Sequence, residues 1–238
     1  MKDRIIRMVL PIFLSFLSPS LLHAASISSS DGQTLYFITG NIGILQGNVN
    51  ATYTDFTDVI AQSISESFSQ QGYTGGLGLG MTKIYYHQYL LGGEVLVNFN
   101  TGNGARFQAG ASSTSFMDTT YIRDNINLMF QPGLMLTTDI ASYLNLGVSV
   151  AQMRDQVISP LNSTPVYQSV TQLKWQPGAV LGIGLRKFLT TQWSVFAEYN
   201  YYDYGNVSFS NFLNYTAGYS HKSHITSNTV TVGAAWNL

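Results

Sequence analysis

Trp193-Ser194-Val195-Phe196-Ala197-Glu198-Tyr199-Asn200-Tyr201-Tyr202-Asp203-Tyr204-Gly205 is the stretch on which the reading of this chain turns. Taken every second residue, Trp193, Val195, Ala197, Tyr199 and Tyr201 form an apolar or amphipathic set. Ser194, Phe196, Glu198, Asn200 and Tyr202 form a mostly polar one. A strand presents its residues alternately on two faces, so one face suits lipid and the other a crowded polar interior. Trp stands at one end and a tyrosine cluster at the other. For a tilted strand of about ten residues, that is the width of a membrane. A lipid-spanning strand needs partners that close a barrel, because hydrocarbon leaves no water to satisfy an open edge.

The bulk composition agrees. Of 238 residues only 10% are charged, against roughly 25% in an ordinary soluble domain. Aromatics make up 13%, including 15 tyrosines, yet past the N-terminus no apolar run is long enough for a membrane helix. A charge-poor, tyrosine-rich chain of this kind suits a transmembrane β-barrel better than a soluble β-sandwich. The net charge of −1 offers no basic field to nucleic acid, and the absence of cysteine removes disulfides, thiol chemistry and Cys-based metal sites.

Residues 1–25 read as a secretory signal. Lys2, Arg4 and Arg7 precede an apolar segment from Met8 to Leu22, and small residues allow cleavage near Ala25. Residues 26–34 form a Ser-rich periplasmic leader, and 35–238 the barrel. Eight strands are expected at Leu35–Leu45, Tyr73–Tyr85, Tyr89–Phe99, Ile122–Thr137, Ser142–Gln152, Leu173–Arg186, Trp193–Tyr204 and Thr226–Leu238. The gaps alternate. Residues 46–72, 100–121, 153–172 and 205–225 are long; Tyr86–Gln88, Thr138–Ala141 and Lys187–Gln192 are short. Long outer loops and short periplasmic turns are the pattern of an all-β, eight-stranded, antiparallel up-and-down barrel in an outer membrane.

Alternation assigns the faces. Leu77, Leu79 and Met81 face lipid while Gly76, Gly78 and Gly80 face in. Leu144, Leu146, Val148 and Val150 face out, as do Leu181, Ile183 and Leu185, and Val230, Val232 and Trp236. Two aromatic belts are expected: Tyr85, Tyr86, Tyr89, Tyr143, Trp193 and Trp236 toward the periplasm, and Tyr73, Trp175, Tyr201 and Tyr204 toward the outside. Two repeats of one tripeptide, Gln131-Pro132-Gly133 and Gln176-Pro177-Gly178, imply bulges or later strand starts, since proline cannot donate to a ladder. Asp58, Ile60, Ile64 and Phe68 suggest a short helix in the first long loop.

The same thirteen-residue stretch resembles the penultimate-strand signature of small bacterial outer-membrane barrels. These are the surface-antigen barrels and, more distantly, the opacity proteins and the OmpA membrane domain. Thr231-Val232-Gly233-Ala234-Ala235-Trp236-Asn237-Leu238 resembles the C-terminal signal by which such proteins meet the barrel-assembly machinery, with Leu in place of the usual final aromatic. The family's signature often carries arginine where Phe196 and Asn200 stand here. The resemblance covers residue 35 to the end and implies an outer-membrane location, contact with lipid and lipopolysaccharide, and no peptidoglycan-binding domain beyond the barrel. It does not name a function, because these barrels carry many.

Glu94 and Glu198 fall on inward faces, with Arg186 and Lys174 on the neighbouring sixth segment. A lumenal charge needs partners, so these four are expected to form an interior ion-pair network rather than an ion path. An eight-stranded lumen is filled by side chains, so a general porin is not expected. His221 and Ser223 are spaced two apart, as in outer-membrane lipid A deacylases, but the surrounding pattern of those enzymes is missing. His221 and His224 are too few for a structural zinc site. No cofactor, no metal and no catalytic residue is expected. The expected role is structural or interactive, in envelope integrity or contact with a host or environmental ligand through the loops. A narrow porin-like channel is the alternative, and a lipid A hydrolase a remote one.

Overall fold

The computed structural model describes residues 34–55, 63–103, 105–109, 116–160, 167–212 and 218–238. It is a closed antiparallel barrel. The strands are β1 (Thr34–Asp55), β2 (Ser63–Tyr85), β3 (Tyr89–Asn103), β4 (Ala105–Ala109), β5 (Phe116–Met135), β6 (Ile140–Pro160), β7 (Tyr167–Phe188), β8 (Trp193–Phe212) and β9 (Gly218–Asn237). β3 and β4 both pair with β5 and are two pieces of one stave, so nine segments make eight staves. Each stave pairs with the next in sequence, and β9 closes the ring on β1, from Phe37↔Asn237 to Asp55↔Tyr219. Expected signal residues 1–25 and most of the leader lie outside the described residues. No helix among the described residues is long and apolar enough to cross a membrane, a test that does not bear on crossing by strands.

The three short turns fall where the sequence places them, and side chains set them. Tyr86 and His87 take positive φ (50° and 55°) in the β2–β3 turn, which Gln88 N closes by donating to Tyr85 O at 3.0 Å. The Thr137 hydroxyl accepts from Ile140 N at 3.0 Å, and the Thr190 hydroxyl accepts from Trp193 N at 3.0 Å. Both are threonine-capped turns that replace backbone pairing locally.

The strands run far beyond the expected bounds. Residues expected in long loops are mostly strand, and Ile64 and Phe68 lie on β2 rather than on a helix. Asp58 and Ile60 lie outside the described residues. The physical reason is an inversion of pattern. On the lower half of β1 the outward residues are Tyr36, Ile38, Ile42 and Ile44; on the upper half they are Gln46, Asn48 and Asn50, while Leu45, Val49 and Ala51 are buried inside. Below, the barrel is apolar outside; above, it is apolar inside. A search for lipid-facing alternation stops where the inversion begins.

Two staves achieve the inversion with a bulge. Register shifts occur between Ile122 and Asn125 on β5 and between Asp203 and Asn206 on β8. An extra residue flips every later side chain to the other face. On β8, odd residues face lipid at Trp193, Tyr199 and Tyr201 and face the core at Val207 and Phe209. Gly205 supplies the positive φ (62°) for that bulge, and its N–H is held by Asp203 Oδ1 at 2.8 Å. These are the bulges; Gln131-Pro132-Gly133 and Gln176-Pro177-Gly178 sit inside β5 and β7 without a register shift at either.

Pro177 marks a different irregularity. β7 pairs with β8 only from Ala179↔Asp203 down to Phe188↔Ser194, although β7 continues on β6 to Tyr167 and β8 continues on β9 to Phe212. Above Ala179 the seam is bridged by side chains. Gln176 Nε2 donates to Tyr204 O at 3.0 Å and Lys174 Nζ to Ser208 O at 3.3 Å.

The face assignments agree with the alternation on all the strands named above. The belts need two corrections. Tyr86, Tyr89, Trp193 and Trp236 below, and Tyr73, Trp175 and Tyr201 above, are exposed, and Trp193 stacks on Trp236 with centroids 6.4 Å apart. Tyr143 and Tyr204, however, are buried in the lumen. Each sits on the inward phase of its strand, which proximity to a strand end does not reveal.

Candidate functional site in the barrel interior

The lumen is filled in layers. Toward the end that carries the three short turns, Leu90, Ala141, Tyr143 and Phe188 form an apolar floor. Toward the opposite end, Val49, Ile122, Met153, Val207, Phe209 and Ile225 belong to a larger apolar cluster that includes Tyr202 and Tyr204, whose rings stack 6.1 Å apart. Between them lies a polar plate.

The plate is a continuous hydrogen-bonded chain. Thr39 on β1 donates to Glu94 Oε1 at 2.5 Å, and Gln131 Nε2 on β5 donates to Glu94 Oε2 at 3.1 Å and to Asn145 Oδ1 at 3.0 Å. Asn145 Nδ2 on β6 donates to Asn200 Oδ1 at 2.8 Å, and Asn200 Nδ2 donates to Glu198 Oε2 at 3.1 Å. Tyr143 OH completes the set on Glu198 Oε1 at 2.8 Å. The chain crosses the lumen from β1 and β3 to β6 and β8. All of its members are buried.

Arg186 lies in the same layer on β7. Its guanidinium sits 4.5 Å from the centroid of Phe37, 5.5 Å from Tyr143 and 5.7 Å from Phe196. Cation–aromatic attraction replaces part of the lost hydration. Nε and Nη2 have no hydrogen-bond partner among the described protein atoms. The structure therefore brings Glu94, Glu198 and Arg186 into one layer, held by hydrogen bonds and rings. Lys174 is elsewhere: it is exposed and joins the β7–β8 seam. Sequence reading missed Thr39, Gln131, Tyr143 and Asn145. Asn145 was legible as an inward residue; its reach across the lumen was not.

Glycines make the room. A Cβ on Gly184 would collide with the Tyr143 ring, one on Gly182 with the Asn200 side-chain amide, and one on Gly233 with the Phe196 ring. The inward glycines of β7 and β9 are thus the sockets for the plate's large side chains.

Of the His221–Ser223 pair, the His221 side chain lies outside the described residues. Ser223 is buried inside β9, whereas His224, on the opposite face, approaches Asp203 Oδ1 at 3.7 Å. Among the described residues no group of three or more His, Cys, Asp or Glu could hold a metal ion.

Comparison with known proteins agrees with the fold. No protein-family model matches the chain. An uncharacterized protein of Coxiella burnetii (strain RSA 493 / Nine Mile phase I) is 25% identical over 189 residues, 75% of this chain and 72% of that protein. Among solved structures, the outer-membrane protein OprG of Pseudomonas aeruginosa superposes with a TM-score of 0.52 at 14% identity, covering 88% of this chain and 98% of that one. The Neisserial surface protein NspA is similar at a TM-score of 0.39 and 12% identity, over 82% of this chain and 97% of that one. These likenesses concern architecture alone, and the OprG superposition agrees with a closed eight-stranded antiparallel β-barrel.

Proposed function

We propose that this protein is a sealed barrel of the bacterial outer membrane whose work is done at the cell surface, in envelope integrity or in contact with a host or environmental ligand. The observation that carries this reading is the plate from Glu94 to Glu198, closed between two apolar layers. A lumen filled at three levels supports a scaffold rather than a channel. The polar outer walls, standing roughly 30 Å of strand beyond the lipid-facing band, give that scaffold a surface on which to act. In this reading the N-terminal signal directs export, the C-terminal strand meets the barrel-assembly machinery, and the loops between the tall strands meet the partner.

Planar-bilayer recording of the refolded protein tests the sealed lumen. Single-channel steps are not expected. Reproducible steps from protein that is folded by the heat-shift of its gel mobility would overturn the sealed-barrel reading in favour of a narrow channel.

A further inference from the structure

We propose that Arg123 and Arg154, on the outer wall of β5 and β6, form a docking site for the lipid A phosphates of the outer leaflet. The proposal rests on the outer-membrane reading and names a lipid partner within it.

The two arginines stand at headgroup height. On β5 the outward residues below the bulge are Leu128 and Ile126; on β6 they are Val148 and Val150, all exposed. The next outward positions are Arg123 and Tyr121 on β5, and Gln152 and Arg154 on β6. The two guanidiniums therefore occupy the first polar level above the lipid band, where headgroups begin. The β5 bulge places Arg123 opposite the Gln152 region, one step below the Tyr121↔Arg154 pair, so both cations share one patch.

The Arg154 guanidinium is also incompletely satisfied. Arg154 Cζ lies 5.6 Å from the Tyr121 ring centroid, which fixes the guanidinium, yet its Nε is buried without a hydrogen-bond partner. Asp124 shares the bulge, but neither arginine has an ion-pair partner among the described residues. A planar guanidinium presents donors in the fork that a phosphate accepts, and two of them match a doubly charged group.

The charge is not uniform around the barrel either. On the other side of the barrel, the outward residues at this height on β1 are the neutral Gln46, Asn48 and Asn50. Beside the patch, β7 carries Leu173, 56% exposed and paired with Arg154, and Trp175, 51% exposed and paired with Gln152. Here an apolar outward face rises past the lipid band into the polar collar. A cationic pair beside such a ledge fits an acylated, phosphorylated sugar better than a soluble phosphate.

The test titrates detergent-solubilised folded protein with three probes: bisphosphorylated lipid A, dephosphorylated lipid A and phosphatidylglycerol. Wild-type protein should bind bisphosphorylated lipid A tightest, and the R123Q/R154Q double variant should lose about tenfold in affinity for it. Lys222→Gln, a cation on β9 away from the patch, should change nothing. Equal binding of phosphorylated and dephosphorylated lipid A by the wild type would overturn the proposal without any variant. So would phosphatidylglycerol binding as tightly as lipid A, or an equal loss from Lys222→Gln. The heat-shift of gel mobility is read on every sample: its absence from the wild type counts against the barrel, whereas its presence with unchanged lipid A affinity counts against the site alone.

Discussion

Glu198 shows how much a single interior residue holds. Its carboxylate accepts from Tyr143 OH and from Asn200 Nδ2, and both donors are buried where bulk water does not compensate. Removing an acceptor leaves its donors desolvated and unpaired, which costs more than the bond contributed. Glu198→Ala should therefore destabilise the folded barrel by about 3 kcal/mol. Glu198→Gln, which keeps the volume and one accepting oxygen, should cost distinctly less. Urea unfolding in detergent micelles, followed by tryptophan fluorescence, measures both. Equal midpoints for the wild type and Glu198→Ala would mean that the plate is ornamental to stability. Glu94 and Glu198 were legible as inward carboxylates because alternation alone fixes the face. Their partners were not, since a bond such as Asn145 to Asn200 joins residues 55 apart and depends on barrel curvature.

At the scale of the strand, the lower half of each stave was readable and the upper half was not. The lower half has polar residues inside and apolar residues outside, an alternation that lipid on one side and a packed polar lumen on the other impose together. The upper half, with Val49 and Ala51 inside and Asn48 and Asn50 outside, reads like any soluble strand, and with Ser, Asn and Thr abundant it read as loop. The seam above Ala179↔Asp203 has a further consequence. There β7 and β8 each lack one neighbour, and Gln176 and Lys174 side chains stand in for the ladder. Backbone amides closed only by side-chain bridges open more readily than those in a continuous ladder. Amide hydrogen exchange should be faster in 171–178 and 205–212 than in β6 and β9 at the same height, and Gln176→Ala should accelerate it further. Uniform protection around the ring at that level would contradict this.

The whole molecule changes its rule of construction partway up. Within lipid it is a barrel turned inside out; above lipid it packs an apolar core behind polar walls as soluble proteins do. That placement predicts a three-way labelling result. The chain has no cysteine, so a single introduced thiol is unambiguous. Asn50→Cys lies on the outer wall of β1 above the lipid band and should react with a membrane-impermeant maleimide on intact cells. Ile42→Cys, at a position 70% exposed to the surroundings of the barrel, should resist the same reagent, because those surroundings are hydrocarbon. His87→Cys, in the exposed β2–β3 turn, should react only once the outer membrane is permeabilised. Each outcome answers a different question. Labelling of Ile42→Cys on intact cells would remove the lipid band from β1. Labelling of His87→Cys without permeabilisation would invert the barrel, exchanging tall strands for short turns at the cell surface. Failure of Asn50→Cys to label would lower the tall collar into the membrane, and with it the surface on which the proposed function and the lipid A site both depend.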